Sequence, residues 1–240
     1  MTQKLDVLQT ISMSFVQSAR IARRHIHWLL LTALALLAVD ILKIATSAAS
    51  VQFISALACA PIAIFTHQQL IRGKSGVGDV FANSQLMTRY AIEASICFTI
   101  PAVILAVIVV SLASAVGYRY ISPFLSETLF FIAIIAISAR PALKLPARAV
   151  GDSLTWKEAC RLGRGNTISI VLALCGSTLI ASAATIVIKA AMKLGMPSLV
   201  GLVLFELAEA WGLVFVIGTL SICYRELRLT KLAEPSDQPA

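Results

Sequence analysis

Asp40 and Lys43, and likewise Glu206 and Glu209, are ionisable pairs set three residues apart inside long apolar runs. Residues i and i+3 of a helix share a face. A charge at the centre of a bilayer costs roughly 2.5–3.5 kcal/mol on insertion scales, so such residues turn to a bundle interior or a wet cavity and take partners. Two chemistries fit them. One is a solute or ion path lined by carboxylates, as in a small transporter or channel. The other is a set of interhelical ion pairs that fix packing. Lys189 and Lys193, at the end of a later apolar run, join the same choice, while Glu93 stands apart near the start of another.

A second set is basic. Arg140, Lys144 and Arg148 recur every four residues, and Lys157, Arg161 and Arg164 follow at i, i+4 and i+7. If the preceding helix runs on, the first three form one stripe, although Pro141 and Pro146 can tilt or break it. Thr155-Trp156-Lys157-Glu158 has the form of a capping box, with Thr155 as N-cap and Glu158 reaching back from the third helical position. It predicts a short amphipathic helix over 155–164 closed by Gly165. Trp156, Ala159, Cys160 and Gly163 make its apolar side. These six cations suit anionic headgroups or an acidic membrane partner. They also suit plain topological anchoring.

Catalytic and metal constellations are not found. Gly73-Lys74-Ser75 lacks the glycine a phosphate-binding loop needs five residues earlier, where Gln68 stands, and it follows an apolar run instead of a strand. Gly73-Lys74-Ser75-Gly76 also spells a rhomboid-protease GxSG, but no His follows His67 to act as its base. His25 and His27, two apart, point to different faces of a helix and read as interfacial neighbours of Trp28. Asp79, Asp152 and Glu158 are scattered, with no paired-acid motif. The five cysteines form no CxxC and read as reduced packing residues. No cofactor, no metal and no nucleic-acid partner is expected.

The elements that position these residues follow from composition. Of 240 residues, 58% are hydrophobic and 13% charged, against about 25% charged in soluble domains. Mean hydropathy is +0.87. The expected fold is all-α: one polytopic membrane bundle over 1–232. An amphipathic helix at 4–24 precedes spans at about 28–47, 50–71, 91–116, 124–139, 168–188 and 199–222. Leu5, Leu8, Ile11, Phe15, Ala19 and Ala22 share one face of the first helix, and Arg20, Arg23 and Arg24 close it. That helix suits the headgroup plane, or packing on the protein's own loops. Trp28 sits at an interfacial position, and Pro61 predicts a kink. The tail, 233–240, reads as disordered. No cleaved signal peptide is expected, because the first apolar run starts only near Trp28. With six spans, sixteen Lys and Arg fall on one side and four (Lys43, Arg119, Lys189, Lys193) on the other. The surplus of +8 is therefore read as positive-inside topology, with both termini cytoplasmic.

Leu145-Pro146-Ala147, followed by the run Leu154-Thr155-Trp156-Lys157-Glu158-Ala159-Cys160-Arg161-Leu162-Gly163-Arg164-Gly165-Asn166, resembles a segment of a bacterial inner-membrane group. That group includes the membrane domain attached to some glycerophosphoryl diester phosphodiesterases and the YciC-type membrane proteins. The N-terminal amphipathic helix, the six spans and Tyr224-Arg225-Glu226-Leu227 resemble it too. The chain departs at Cys160, where an aromatic is usual, and at Gly163, where Thr or Ser is. The resemblance implies a multi-pass inner-membrane protein with no catalytic residues in this domain. The phosphodiesterase barrel of fused members is a separate unit, for which six helices leave no room, so that activity is not carried over. The expected function is non-catalytic: engagement of the bilayer's anionic phospholipid, or of a membrane protein partner, through the basic cytoplasmic surface.

Overall fold

The computed structural model describes residues 4–45, 48–73, 77–116 and 123–233. Among them the chain is all helical: α1 (Val7–Arg24), α2 (Ile26–Ala45), α3 (Ala48–Arg72), α4 (Val77–Ala82), α5 (Ser84–Val116), α6 (Pro123–Ser138), α7 (Lys144–Ala149), α8 (Trp156–Leu162), α9 (Thr167–Lys193) and α10 (Ser198–Ala233). No strand, and so no barrel, occurs among the described residues. The 233–240 tail beyond Ala233, the side chain of Lys43, and Lys74 and Ser75 of the loop motifs lie outside the described residues.

Four helices are long and apolar enough to cross a membrane, and six spans result if each of two bent pairs counts as one. The chain is a multi-pass membrane protein. Its apolar side chains are abundant on the outside of the bundle, as a hydrocarbon solvent permits. At about 1.5 Å per residue, α5 and α10 run roughly 50 Å, well beyond a hydrocarbon core of about 30 Å.

α10 is the spine, packing against α1, α2, α3 and α9. Its pairing with α9 starts from a tight hairpin. Gly195, at φ +106°, lets the Gly195 amide donate to Met192 O at 3.3 Å and the Met196 amide to Ala191 O at 3.1 Å. That pair of bonds closes the end of α9. Further along, Gly212 allows close approach, since a Cβ there would sit 2.9 Å from that of Ala181. α5 and α6 are joined by a reciprocal pair. Ser138 Oγ donates to Cys97 O at 2.7 Å, and Cys97 Sγ lies 3.8 Å from Ser138 O. All five cysteines are free thiols.

The stretch left between the expected spans 50–71 and 91–116 is largely helical among the described residues. Asn83 Oδ1 accepts the Leu86 amide at 2.9 Å, so α5 starts at Ser84 and adds two polar turns to the span. Trp28 is buried within the bundle, 3% exposed, and stacked between Phe81 (5.1 Å) and Phe65 (5.7 Å). α1, which meets α2 at 94°, docks through a mixed face, on which Ile11, Ile21 and Ala22 pack against the core beside small polar residues. Thr10, Ser14 and Ser18 are buried, while Leu8 is 79% exposed and Phe15 and Val16 also face outward. Small hydroxyl side chains permit close packing, and their polarity is absorbed locally. Thr10 Oγ1 donates to Asp6 O and Ser14 Oγ to Thr10 O, both at 2.6 Å, and Ser18 Oγ to Val214 O on α10 at 3.3 Å. Gly218 and Gly176 make room for this helix; a Cβ at either would meet Ser18 Oγ at 2.6 Å or Ile11 Cδ1 at 2.7 Å.

Candidate functional site

Arg140 to Asn166 forms the cap of one end of the bundle. The expected continuation of the fourth span through Arg140, Lys144 and Arg148 does not occur as one stripe. The chain bends by 55° after α6, passes through a 3-10 turn at Pro141–Leu143 and continues as α7. Proline at 141 removes a backbone donor where a straight helix would need one. The bend buries Ala142, Leu143, Leu145, Pro146 and Ala147 under the bundle.

It also divides the six basic residues. Lys144, only 8% exposed, places Nζ 3.0 Å from Glu93 Oε1 and 4.2 Å from the centre of the Trp156 ring. Arg148 grips the same carboxylate. Its Nη2 is 2.6 Å from Oε1, and Nε is 3.2 Å from both oxygens. Arg140 Nε donates to Thr167 Oγ1 at the start of α9. Glu93 thus pairs with two of the basic residues, which are held inward. Lys157, Arg161 and Arg164 are exposed.

The turn after α7 is held from two sides. Gly151, at φ +73°, lets the Gly151 amide reach Arg148 O (3.1 Å) and the Asp152 amide reach Ala147 O (2.8 Å). From α3, Gln68 Nε2 donates to Ala149 O at 2.9 Å, and Arg72 donates to Val150 O. From α10, the Tyr224 hydroxyl donates to Asp152 Oδ2, and Arg228 lies 3.3 Å from the same oxygen. α7 is therefore clamped by polar groups of α3, α5 and α10.

α8 has the expected start. Glu158 Oε2 accepts from Thr155 N at 2.8 Å and from Thr155 Oγ1 at 2.7 Å, and the Glu158 amide donates to Thr155 Oγ1 at 3.3 Å. Its end differs. Gly163, not Gly165, is the C-cap, because it packs under Arg140, Leu143 and Ile170, where a Cβ would meet side-chain carbons at 3.1–3.3 Å. Arg164 consequently sits in the following turn and is not on the helix. Asn166, which ends the run resembling the inner-membrane group, accepts the Leu5 amide at 2.9 Å. Replacing Thr155 by Ala is expected to remove about 1 kcal/mol from α8. Amide exchange over 156–162 should then accelerate about fivefold while the spans keep their protection; unchanged exchange would show that the cap contributes nothing.

The intramembrane charges lie elsewhere. Glu206 is 3% exposed on α10, Glu209 is half-buried within electrostatic reach of Cys59 on α3, and Asp40 is half-buried on α2. Lys189 Nζ lies 4.7 Å from the Phe205 ring centre, joining α9 to α10. A half-open apolar cavity of about 380 Å³ lies between α3, α5, α6, α9 and α10, with Cys59, Tyr90, Ser95, Phe98, Phe131 and Ile217 among its walls. Asp40, Glu206 and Glu209 are not in its walls. Beside it, sequence reasoning missed a buried polar chain: His67 Nδ1 lies 2.7 Å from Ser221 Oγ, and Nε2 lies 2.9 Å from the Tyr90 hydroxyl.

His25 forms the corner between α1 and α2. The helix break there brings its ring to 5.9 Å from His27 and 4.9 Å from Phe65, edge-on. Burial first, then the charges of His27 and Arg24, hold its pKa below the ordinary imidazole range. Among the described residues no group of three or more His, Cys, Asp or Glu is arranged to hold a metal ion. Comparison with known protein families, curated proteins and solved structures finds no match for this chain.

Proposed function

We propose that this chain is a non-catalytic, multi-pass protein of a bacterial cytoplasmic membrane, and that it binds anionic phospholipid through its basic end. The reading places both termini and α8 in the cytoplasm, in keeping with the sixteen-to-four distribution of Lys and Arg. The observation that carries it is the division of one basic segment into two roles. Lys144 and Arg148 are both engaged by Glu93 and build the cap. Lys157, Arg161 and Arg164 stay exposed beside that rigid cap, where lipid phosphates lie. A transport reading would draw on Asp40, Lys43, Glu206 and Glu209. It gains little from an apolar cavity whose walls include neither Glu206 nor Glu209.

The test is native mass spectrometry of the protein extracted in mild detergent. Arg161→Ala/Arg164→Ala should retain several-fold less anionic phospholipid than the wild type, at about 1 kcal/mol per basic residue near a membrane surface. Its melting temperature should stay within a degree or two, because both side chains are exposed. Equal retention would refute the lipid reading, and co-purification of a stoichiometric protein would replace it with a partner.

A further inference from the structure

A second basic feature lies away from α8, where the ends of three helices converge. Gln17, Arg20, Ile21 and Arg24 occupy positions i, i+3, i+4 and i+7 of α1, one continuous face. With His25 they form one wall of a cavity of about 270 Å³. Gln69 and Leu70, at the end of α3, and Arg225 of α10 form the other. Three guanidinium groups, an imidazole and two amides thus face one space, and no carboxylate is in its walls. Arg225 is preset: Nη1 donates to Leu70 O at 3.3 Å and Nη2 to Glu226 Oε1 at 3.1 Å, which fixes the fork beside the opening. Arg20 and Arg24 are exposed and can close over a guest.

The geometry points to a phosphate-binding site formed by Arg20, Arg24, His25 and Arg225 between α1, α3 and α10. Arg225 keeps its Glu226 partner, while Arg20 and Arg24 bring two further guanidinium groups to the same space, and guanidinium forks match the oxygens of a phosphate group. A carboxylate ligand would offer two oxygens, while a phosphate offers enough acceptors for donors arriving from three helices. The site is independent of the α8 reading, since none of its residues belongs to the 140–166 segment. Its phosphate has two sources: a lipid headgroup reached along α1, whose Leu8, Phe15 and Val16 face outward, or a phosphorylated solute from water.

The experiment compares Arg20→Gln/Arg24→Gln with Arg23→Gln. Arg23 has the same charge on the same helix but does not line the cavity. Inorganic phosphate is titrated calorimetrically into each protein in uncharged detergent. Retention of phosphatidylglycerol is then measured in bilayer discs of phosphatidylcholine with and without it. The double variant should lose at least about tenfold in affinity for one of the two probes, while Arg23→Gln stays within about twofold with both and Arg161→Ala/Arg164→Ala keeps its affinity for inorganic phosphate. Loss read with inorganic phosphate assigns the solute as the source. Loss read only with phosphatidylglycerol assigns the headgroup. If the double variant matches Arg23→Gln with both probes, or if the α8 variant shows the same loss with inorganic phosphate, there is no site here and only diffuse basic charge remains. Arg225→Gln provides a second check, with an equal loss expected from the opposite wall.

Discussion

Glu93→Leu is expected to cost about 3–5 kcal/mol of stability, the usual range when one member of a buried ion pair is removed. The carboxylate serves two cations, Lys144 at 3.0 Å and Arg148 at 2.6 Å, and both Glu93 and Lys144 are 8% exposed. Without it, Lys144 keeps only the face of Trp156, worth about 0.5–2 kcal/mol. Both α7 and the turn at Gly151 depend on this anchor, so the loss should appear at the cap first. Denaturant-induced unfolding in micelles gives the magnitude. The triple replacement Glu93→Leu/Lys144→Met/Arg148→Leu separates charge burial from packing. It should recover most of the loss, because an apolar set of similar size strands no charge. A triple variant as unstable as Glu93→Leu would mean that the shape of the site, and not its charge balance, is what matters.

The second large effect is at His67, which is fully buried on α3. Ser221 Oγ lies 2.9 Å from Ile217 O and 2.7 Å from His67 Nδ1. The Ser221 hydroxyl gives its proton to the carbonyl, so it accepts from Nδ1–H, and Nε2 then accepts from the Tyr90 hydroxyl at 2.9 Å. One tautomer satisfies every donor in the chain, and the chain links α3, α5 and α10. His67→Phe keeps a ring of similar size but strands the Tyr90 hydroxyl, at roughly 1–3 kcal/mol for each buried group left unpaired. Tyr90→Phe in that background should restore part of the loss, giving a coupling energy of about 0.5–3 kcal/mol in a double-mutant cycle. Strictly additive losses would show that the two rings merely pack.

What could be read from the residues beforehand has a simple physical basis. Long apolar runs locate helices because a bilayer requires them, which is why α3, α9 and α10 fall close to the expected spans. The cap of α8 was legible for the opposite reason: Thr155 and Glu158 are three residues apart, so the whole interaction lies in one turn. Lys144 and Arg148 were legible as a pair, but their engagement was not. Their partner, Glu93, is 51 and 55 residues away, with no local pattern to mark it. The end of α8 was misplaced for a similar reason: Gly163 is set by Leu143 and Ile170, side chains from other elements. On α1, the contacts of Ser18 with Gly218 and of Ile11 with Gly176 join residues far apart in the chain, so no local pattern marks them. The cavity bordered by Arg20, Arg24 and Arg225 was invisible in sequence because its walls come from three distant segments, with Arg225 some two hundred residues beyond Arg24.

That separation also bears on biosynthesis. The Ser18–Val214 bond spans 196 residues. At about 5–20 residues per second, roughly 10–40 seconds of translation separate the two partners. During that interval the hydroxyl stripe of α1 has no groove to enter, and only its apolar edge has a solvent that suits it. The emerging chain can therefore rest that helix on the bilayer surface while the spans insert behind it, then dock it once α10 arrives. The earliest helix becomes the final clasp, and a chain that stalls before α10 is synthesised leaves it open, a visible mark of incomplete assembly for the cell's proteases.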